Sequence, residues 1–367
     1  MRRDPRFDGR LLVLAALALV SLTAQPLPRP AAAAPATADA AGAPVGASPP
    51  AQTVALRYGS PGAITDAGLF IARARGYFAQ QGIDLEMVPF QTGPDAIPLM
   101  ATGELDAAAG THSIALLNAA ERGLGVRIVA GKGVSRPGFE FTHIVVRRDL
   151  IDSGAVRDVA DLRGRRLAIA SLRSGAEAAV ARMLAGGGLT VSDVELTALG
   201  FPDMVPAFGN GAIDGANMIE PFLSAAVNRG VATAWEPGRA SALYGGVYQA
   251  GIMLFSGRLA GQTDLARRYM IAYVQGTREY DDALLKGERR DDVIRILSEQ
   301  TNVHDPSAYA QMQMGWLDPD GAVARDTLRY DMDYFRQQGY YSGSVTFDDL
   351  IDTSFAEYAA QQLGPYR

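Results

Sequence analysis

One stretch of the sequence occurs twice, and this repeat constrains the fold more than any other feature. The segment DAIPLMATGELD, which begins at Asp95, aligns without a gap with DMVPAFGNGAID, which begins 108 residues later at Asp203. The twelve positions share four identities and one Leu/Ile exchange. Each copy predicts an Asp N-cap, a short helix with Pro in its first turn, a Gly stop and a strand that begins with an apolar residue and Asp. We therefore expect two α/β lobes of similar build, with a ligand cleft between them.

Length and composition fit a soluble protein of two or three domains and exclude several kinds of chemistry. The chain has 367 residues, of which 48% are hydrophobic, and its formal charge is −6. This acidic balance argues against a nucleic-acid-binding surface, which requires clustered Lys and Arg. The sequence contains no cysteine, so disulfides, thiolate catalysis, iron–sulfur clusters, Cys–zinc sites and a lipid-modified N-terminal Cys are excluded.

The N-terminus is typical of an export signal. Four arginines within the first ten residues precede the apolar run 11–20, which is too short to span a membrane. Cleavage is expected after Ala24, and the alanine run 31–34 offers another site. Residues 25–52 contain 7 Pro and 11 Ala, a composition that cannot build a core. The sequence thus predicts a signal peptide over 1–24 and a disordered linker over 25–52. The mature protein is expected to be periplasmic or otherwise exported, and not a lipoprotein.

From Thr53 onward, strand and helix patterns alternate, which is typical of parallel βαβ units. Arg136-Pro137-Gly138 marks a break between the lobes, and the apolar segment 245–256 predicts a strand that returns to the first lobe. Residues 53–139 and 250–367 are therefore assigned to lobe 1, and residues 140–249 to lobe 2.

Two helix starts are predicted from local chemistry. Thr111 is expected to cap the helix that runs to about Arg122. Ser174 and Glu177 have the spacing of a capping box, in which each side chain satisfies a backbone donor at the start of the helix.

Ligands of open α/β sheets lie beyond the carboxyl ends of the strands, where helix N-termini present unpaired N–H groups. Five polar loops satisfy this condition. The ligand-binding candidates that they contain are Ser60, Thr65, Gln91, Thr92, Thr111, His112, Ser113, Ser171, Arg173, Ser174, Gly175, Asn217 and Glu220. Arg173 suits an anionic group, whereas Glu220 suits an amine or an aminopyrimidine, and the sequence leaves both ligand charges open. A purely structural role as a helix cap or surface residue is the alternative at each position.

Familiar catalytic and metal-binding patterns are missing from the sequence. His112, His143 and His304 lie far apart without metal-ligand spacing. Gly131-Lys132-Gly133 is neither a phosphate loop nor a dinucleotide fingerprint, and there is no Gly-x-Ser-x-Gly segment. We expect no catalytic residue, metal or cofactor.

Several segments resemble a known family. The segments GLFIARARGYFAQQGIDLEMVPF, DAIPLMATGELDAAAG, VRDVADLRGRRLAIAS, DMVPAFGNGAIDGANMIEPF and DLIDTSF are similar to the NMT1/THI5-like solute-binding proteins for nitrate, sulfonates, taurine and thiamine precursors. The resemblance extends over residues 53–363. It implies a type II periplasmic-binding-protein fold with two Rossmann-like lobes, a hinge of two crossings, and a cleft faced by the 171–175 loop and Glu220. The pyrimidine synthases of this group carry a cysteine motif that this chain lacks.

The family resemblance also implies a function. The chain would be the substrate-binding component of an ABC importer that traps a small polar or aromatic solute between its lobes and delivers it to an inner-membrane permease. A monomer is expected. Two alternatives use the same fold: an exported enzyme with Glu220 or His112 as acid or base, and a ligand-sensing partner of a membrane receptor.

Overall fold

The computed structural model describes residues 53–91, 95–312 and 314–367. The predicted signal peptide, the predicted linker and Thr92 lie outside the described residues. Within those residues the chain forms ten strands, which are β1 (Val54–Ser60), β2 (Ile83–Pro89), β3 (Ala107–Gly110), β4 (Arg127–Ser135), β5 (Thr142–Arg147), β6 (Arg166–Ile169), β7 (Glu195–Ala198), β8 (Gly215–Ile219), β9 (Ala232–Arg239) and β10 (Tyr248–Phe255).

Helices connect and cover these strands. The α-helices of the described residues are α1 (Ala67–Ala74), α2 (Tyr77–Gln80), α3 (Ala96–Ala101), α4 (Ile114–Glu121), α5 (Arg148–Asp152), α6 (Gly175–Gly186), α7 (Phe201–Gly209), α8 (Phe222–Asn228), α9 (Ala240–Leu243), α10 (Gly257–Ala260), α11 (Thr263–Leu285), α12 (Arg290–Gln300), α13 (Pro306–Gln311), α14 (Arg325–Gln337), α15 (Phe347–Leu350) and α16 (Ser354–Leu363). Short 3-10 turns occur at Ile64–Asp66, Val159–Leu162 and Val191–Asp193. No helix in the described part of the chain is both long enough and apolar enough to cross a membrane.

The strands form two five-stranded sheets that share one topology. The first has the order β2-β1-β3-β10-β4 and the second the order β7-β6-β8-β5-β9. In each sheet the fourth position in this order is occupied by the strand that directly follows a crossing between the sheets. This strand is β10 in the first sheet and β5 in the second. The predicted α/β fold with two similar lobes is therefore confirmed.

The expected parallel pairing is found for β1 with β2 and β3, and for β6 with β7 and β8. It is wrong for β5 and β10, which run antiparallel to both of their neighbours. Each of these two strands comes directly from a crossing and enters its sheet at the carboxyl ends of the neighbouring strands. The sheets are therefore mixed, and the predicted return strand within 245–256 is β10.

The internal repeat places a helix before a strand in each lobe, α3 before β3 in the first and α7 before β8 in the second. Gly103 and Gly211 follow these helices with φ of 78° and 72°, a left-handed conformation that strains any residue with a Cβ. Asp203 is not the predicted N-cap, because α7 begins at Phe201 with Pro202 in its first turn and Gly200 as N-cap. Asp95 occupies the N-cap position of α3, without a cap hydrogen bond from its side chain.

The last Asp of each repeat has a specific role in the sheet. The backbone N–H of Asp106 donates to Arg57 O (2.9 Å), and Asp106 Oδ2 accepts from Arg57 N (2.8 Å). Asp214 repeats this exchange with Arg166 at 2.8 and 3.0 Å. Asp106 therefore fixes the register between β3 and β1, and Asp214 fixes the register between β8 and β6.

Two segments connect the sheets, from β4 to β5 and from β9 to β10. In the first, Ser135 Oγ accepts from the backbone N–H groups of Phe141 (3.0 Å) and Thr142 (3.1 Å). Glu140 of this crossing is hydrogen-bonded to Ser241, which belongs to the second. The two crossings are therefore tied to each other beside the cleft.

Candidate functional site

A cavity of about 70 Å³ lies between the two sheets, which is room for roughly five water-sized groups. It is bounded by the loops at the carboxyl ends of β1, β3, β6 and β8, as expected for this fold class. The first lobe contributes Pro61, Ala63, Thr65, Phe90, Ala109, Gly110, Thr111 and Lys132. The second lobe contributes Thr142, Ala170, Ser171, Ser174, Ala176, Phe201, Asn217 and Ile219, and β10 contributes Tyr248, Ala250 and Gly251.

Five of the predicted ligand-binding residues line this cavity, and they come from both lobes. They are Thr65, Thr111, Ser171, Ser174 and Asn217. Thr111 is not the predicted cap of α4, since Ser113 Oγ accepts from Leu116 N in that role. The Thr111 hydroxyl is therefore not used in capping.

The predicted capping box at the start of α6 is also absent from the structure. Ser174 occupies the N-cap position, but its hydroxyl donates to Ser171 O (2.7 Å). Glu177 accepts from Arg173 N (2.7 Å) and from Tyr334 Oη (3.0 Å). The left-handed backbone of Arg173, with φ of 54°, directs its N–H toward Glu177. The carboxylate therefore stabilises the loop before the helix.

Other predicted residues lie behind the cavity or at its edge. Ser60 Oγ donates to Asp66 Oδ2 (2.6 Å), and Gln91 is exposed at the end of β2. His112 is fully buried, and its Nε2 lies 2.5 Å from Asp331 Oδ2 on α14. Ser113 caps α4 and Gly175 begins α6. These five residues do not line the cavity.

The two predicted charge-selecting residues are also outside the lining. The Arg173 guanidinium lies over the Tyr340 ring, 5.3 Å from its centroid. The Glu220 carboxylate accepts from Ser224 N (3.0 Å) and Ser224 Oγ (2.8 Å). In these positions neither the Arg173 guanidinium nor the Glu220 carboxylate lines the cavity.

Lys132 is the lining residue of greatest chemical interest that the sequence patterns did not select. It lies on β4, is 1% exposed, and forms an ion pair with the fully buried Asp66. Its Nζ donates to Tyr58 Oη (2.7 Å), which in turn donates to Asp66 Oδ1 (2.7 Å). Burial lowers the pKa of Lys132, and the Asp66 charge opposes this shift. These contacts with Asp66 and Tyr58 involve two of the three ammonium donors, and Lys132 is one of the residues that line the cavity.

A sequence signal for Lys132 does exist. It is the one charged residue of the segment 128–134, between two glycines, and such a residue is almost never fully buried unless it is paired. Its partner, Asp66, lies 66 positions earlier, so no local sequence pattern connects the two residues.

The Asn217 side-chain amide provides an unused hydrogen-bond donor in the opposite lobe. It lies on β8, opposite Ile144 of β5, and is 4% exposed. Its Nδ2 has no hydrogen-bond partner among the described residues. Because a buried donor without a partner costs about 1–3 kcal/mol, an acceptor supplied by a ligand would stabilise this arrangement.

Three backbone hydrogen bonds join the lobes around the cavity. Ile114 N donates to Arg173 O (3.1 Å), and Gly175 N donates to His112 O (2.9 Å). These two bonds flank an antiparallel bridge between Ser113 and Ser174, which we call the clasp. On another side of the cavity, Ile64 N donates to Glu220 O (3.1 Å). The structure therefore represents a form in which the lobes are in contact.

The cavity has both polar and apolar lining groups. Hydroxyl, amide and ammonium groups come from Thr65, Thr111, Ser171, Asn217 and Lys132, whereas apolar walls come from Phe90, Phe201, Ile219 and Tyr248. No carboxylate lines it among the described residues. The site therefore suits a small molecule that has both acceptor atoms and an apolar group.

Two mixed α/β lobes, two crossings and a ligand-sized cavity at the carboxyl ends of the strands define a type II periplasmic-binding-protein fold. Residues 64–236 match the family model described as NMT1/THI5 like, which confirms the resemblance seen in the sequence.

Comparisons with known proteins agree with this assignment. A putative aliphatic sulfonates-binding protein of Bacillus subtilis (strain 168) is 28% identical over 160 residues, which are 42% of this chain. The match spans somewhat less than half of that relative, 46% of its length. The periplasmic nitrate-binding protein NrtA of Synechocystis PCC 6803 superimposes with a TM-score of 0.70 at 16% identity, over 86% of this chain and 90% of NrtA. The alkanesulfonate-binding protein SsuA of Xanthomonas axonopodis pv. citri, bound to MOPS, gives a TM-score of 0.63 at 22% identity, over 83% and 99% of the two chains.

Proposed function

We propose that this protein is the substrate-binding component of an ABC importer, and that it captures a small organic anion between its lobes. The observation that carries the proposal is that one cavity is lined by polar groups from opposite lobes, the Lys132 ammonium and the Asn217 amide, and that Asn217 Nδ2 has no partner among the described residues. A ligand oxygen bonded to both would hold the lobes together. Lobe closure on binding and recognition of the closed form by a membrane permease would follow.

The charge of the site favours a singly charged headgroup. The ammonium of Lys132 is already paired with Asp66, so the two together contribute no net charge. Helix N-termini and neutral donors are then left to stabilise the ligand charge. We infer that a sulfonate or carboxylate with a short apolar group fits better than a dianion, and the sulfonate-binding relative supports this class.

We also propose how the chain is divided into lobes and terminal segments. Residues 53–139 and 250–367 would form one lobe and residues 140–249 the other. The distribution of the strands between the sheets supports this division, with β10 of the first sheet beginning at Tyr248. An export signal over 1–24, a linker over 25–52, a periplasmic location and a monomeric state complete the proposal. An enzyme that uses Glu220 or His112 is less consistent with the geometry, because neither residue lines the cavity.

A thermal-shift screen tests the function, because a ligand that binds only the folded protein raises its melting temperature. The panel is nitrate, methanesulfonate, hexanesulfonate, benzoate, sulfate and an aminopyrimidine. We expect the largest shift with a singly charged organic anion. Asn217→Ala should weaken its binding roughly tenfold to a hundredfold, as expected for a buried hydrogen bond, and the exposed Asn228→Ala should not.

The screen can also contradict the proposal. If no compound of the panel shifts the melting temperature while one of them is chemically converted, the protein is not a simple binding component. A shift that is equal in wild type and Asn217→Ala would remove Asn217 from the site.

A further inference from the structure

Glu220 is a buried carboxyl group without a cationic partner. It directly follows β8 and is 1% exposed, and among the described residues only Ser224 donates hydrogen bonds to its carboxylate. No lysine, arginine or histidine of the described residues compensates its charge. A carboxylate in such a place is costly, since removal from water disfavours the charged form.

Both lobes contribute to the burial of Glu220. Its backbone oxygen accepts from Ile64 N of the first lobe. Burial, and to a smaller extent the charge of the nearby Glu220, raises the pKa of Tyr280 on α11 and of Tyr309 on α13, both in the first lobe. From α8, only the neutral Ser224 faces Glu220.

The first-lobe turn at Ile64–Asp66 carries one charged group, Asp66, which is already bound by Lys132, Tyr58 and Ser60. Ile64, Phe222, Tyr280 and Tyr309 belong to one apolar cluster that includes residues of both lobes. Separation of the lobes would therefore admit water to Glu220.

We propose that Glu220 takes up a proton when the two lobes close, so that ligand capture is coupled to proton uptake. This inference rests on the proposed function, because it requires an open form and a closed form. In the closed form, burial raises the pKa of Glu220 to about 7. In an open form, contact with water would return its pKa toward the ordinary glutamate value of about 4.3.

The sign of the linkage follows from these two states. Between the open-state and closed-state pKa values, the closed form binds one proton more than the open form. Ligand affinity is therefore full at low pH and is lost as pH rises through about 7, by about tenfold between pH 6 and pH 8. Glu220→Gln, which keeps the acceptor for Ser224 but does not titrate, should remove this dependence.

A ligand-free test is possible because the chain has no cysteine. Ser113 and Ser174 form an antiparallel bridge whose flanking residues make the hydrogen bonds. In such non-hydrogen-bonded pairs the Cα atoms are typically about 4.5 Å apart, within the range that a disulfide spans. S113C/S174C, made in the full chain, should therefore lock the lobes when it is oxidised and release them when it is reduced.

The experiment compares Glu220 in the two forms. The protein is labelled with carboxyl-13C glutamate, and the Glu220 signal is identified by its loss in the matched E220Q variant. We expect a titration midpoint near 7 in the oxidised protein and a clearly lower midpoint in the reduced protein. Small-angle scattering should show a larger radius of gyration for the reduced protein.

Two results would overturn the proposal. One is the same Glu220 midpoint in both forms, and the other is a reduced protein that does not expand. Neither result depends on a ligand, so failure here is distinct from failure of the thermal-shift screen, which tests the transport function.

Discussion

At the scale of single residues, the site is built on a buried ion pair rather than on an exposed charge. Lys132 and Asp66 are almost completely buried, and Tyr58 and Ser60 complete their hydrogen bonds. A buried pair adds little net stability compared with apolar residues, but loss of one partner leaves the other charge buried and unpaired. The role of Lys132 in ligand binding is therefore linked to the stability of its lobe.

A double-mutant cycle should show this coupling. Lys132→Met is expected to lower the free energy of unfolding by about 3–5 kcal/mol, because it strands the Asp66 carboxylate. The double variant Lys132→Met/Asp66→Asn should lose clearly less than the sum of the two single losses. Urea unfolding measures all four proteins, and the exposed pair Lys286/Asp282 supplies the control cycle, for which near-additive losses are expected. Additive losses at Lys132/Asp66 would show that the two charges do not depend on each other.

At the scale of elements, the start of α6 determines how closely the lobes approach. A Cβ added at Gly175 would overlap the His112 ring across the cleft, whereas a Cβ at Gly186, in the same helix, meets no atom within 4 Å. Neither glycine has a positive φ, so alanine suits the helix at both positions.

Gly175→Ala should therefore oppose closure without unfolding its lobe. We expect weaker binding of the best anion from the screen, since a variant that populates the closed form less must bind more weakly. Isothermal titration of Gly175→Ala and Gly186→Ala provides the comparison. Equal affinities would mean that contact at the clasp is not needed for binding.

The elements also show how far the sequence alone could lead. The repeat predicted two lobes of one topology, and strand-end loops predicted five of the lining residues, because both depend on local patterns. The Lys132–Asp66 pair, the burial of Glu220 and the antiparallel insertion of β5 and β10 depend on contacts between distant segments. The spacing of Ser174 and Glu177 predicted a capping box. In the structure the Ser174 hydroxyl instead donates to Ser171 O, and Glu177 accepts from Tyr334 of the first lobe.

At the scale of the whole molecule, we expect access to the cavity to depend on separation of the lobes. The lining side chains Thr65, Ser174, Asn217 and Lys132 are all buried in this form. Apolar and polar walls from both lobes line the space, so we expect a bound ligand to leave faster when the clasp opens.

Ligand exchange in the S113C/S174C variant should therefore depend on its redox state. The oxidised protein is expected to bind and release the best anion from the screen far more slowly than the reduced protein. Stopped-flow or dialysis exchange measures both rates, and the reduced form of the same variant controls for the changed side chains. Equal rates would indicate an entry path that closure does not block.

The late insertion of β10 has a consequence for how the chain folds. The strands of the second sheet, β5 to β9, are contiguous in sequence, whereas β3 pairs with a much later strand, and the paired residues Ala107 and Phe255 are 148 positions apart. During synthesis the second sheet can assemble from its own segment, while β3 and β4 wait with unpaired edges. Edges of this kind invite pairing with other chains. The first lobe is thus the part of the nascent protein with the greatest tendency to aggregate, until residue 255 has emerged.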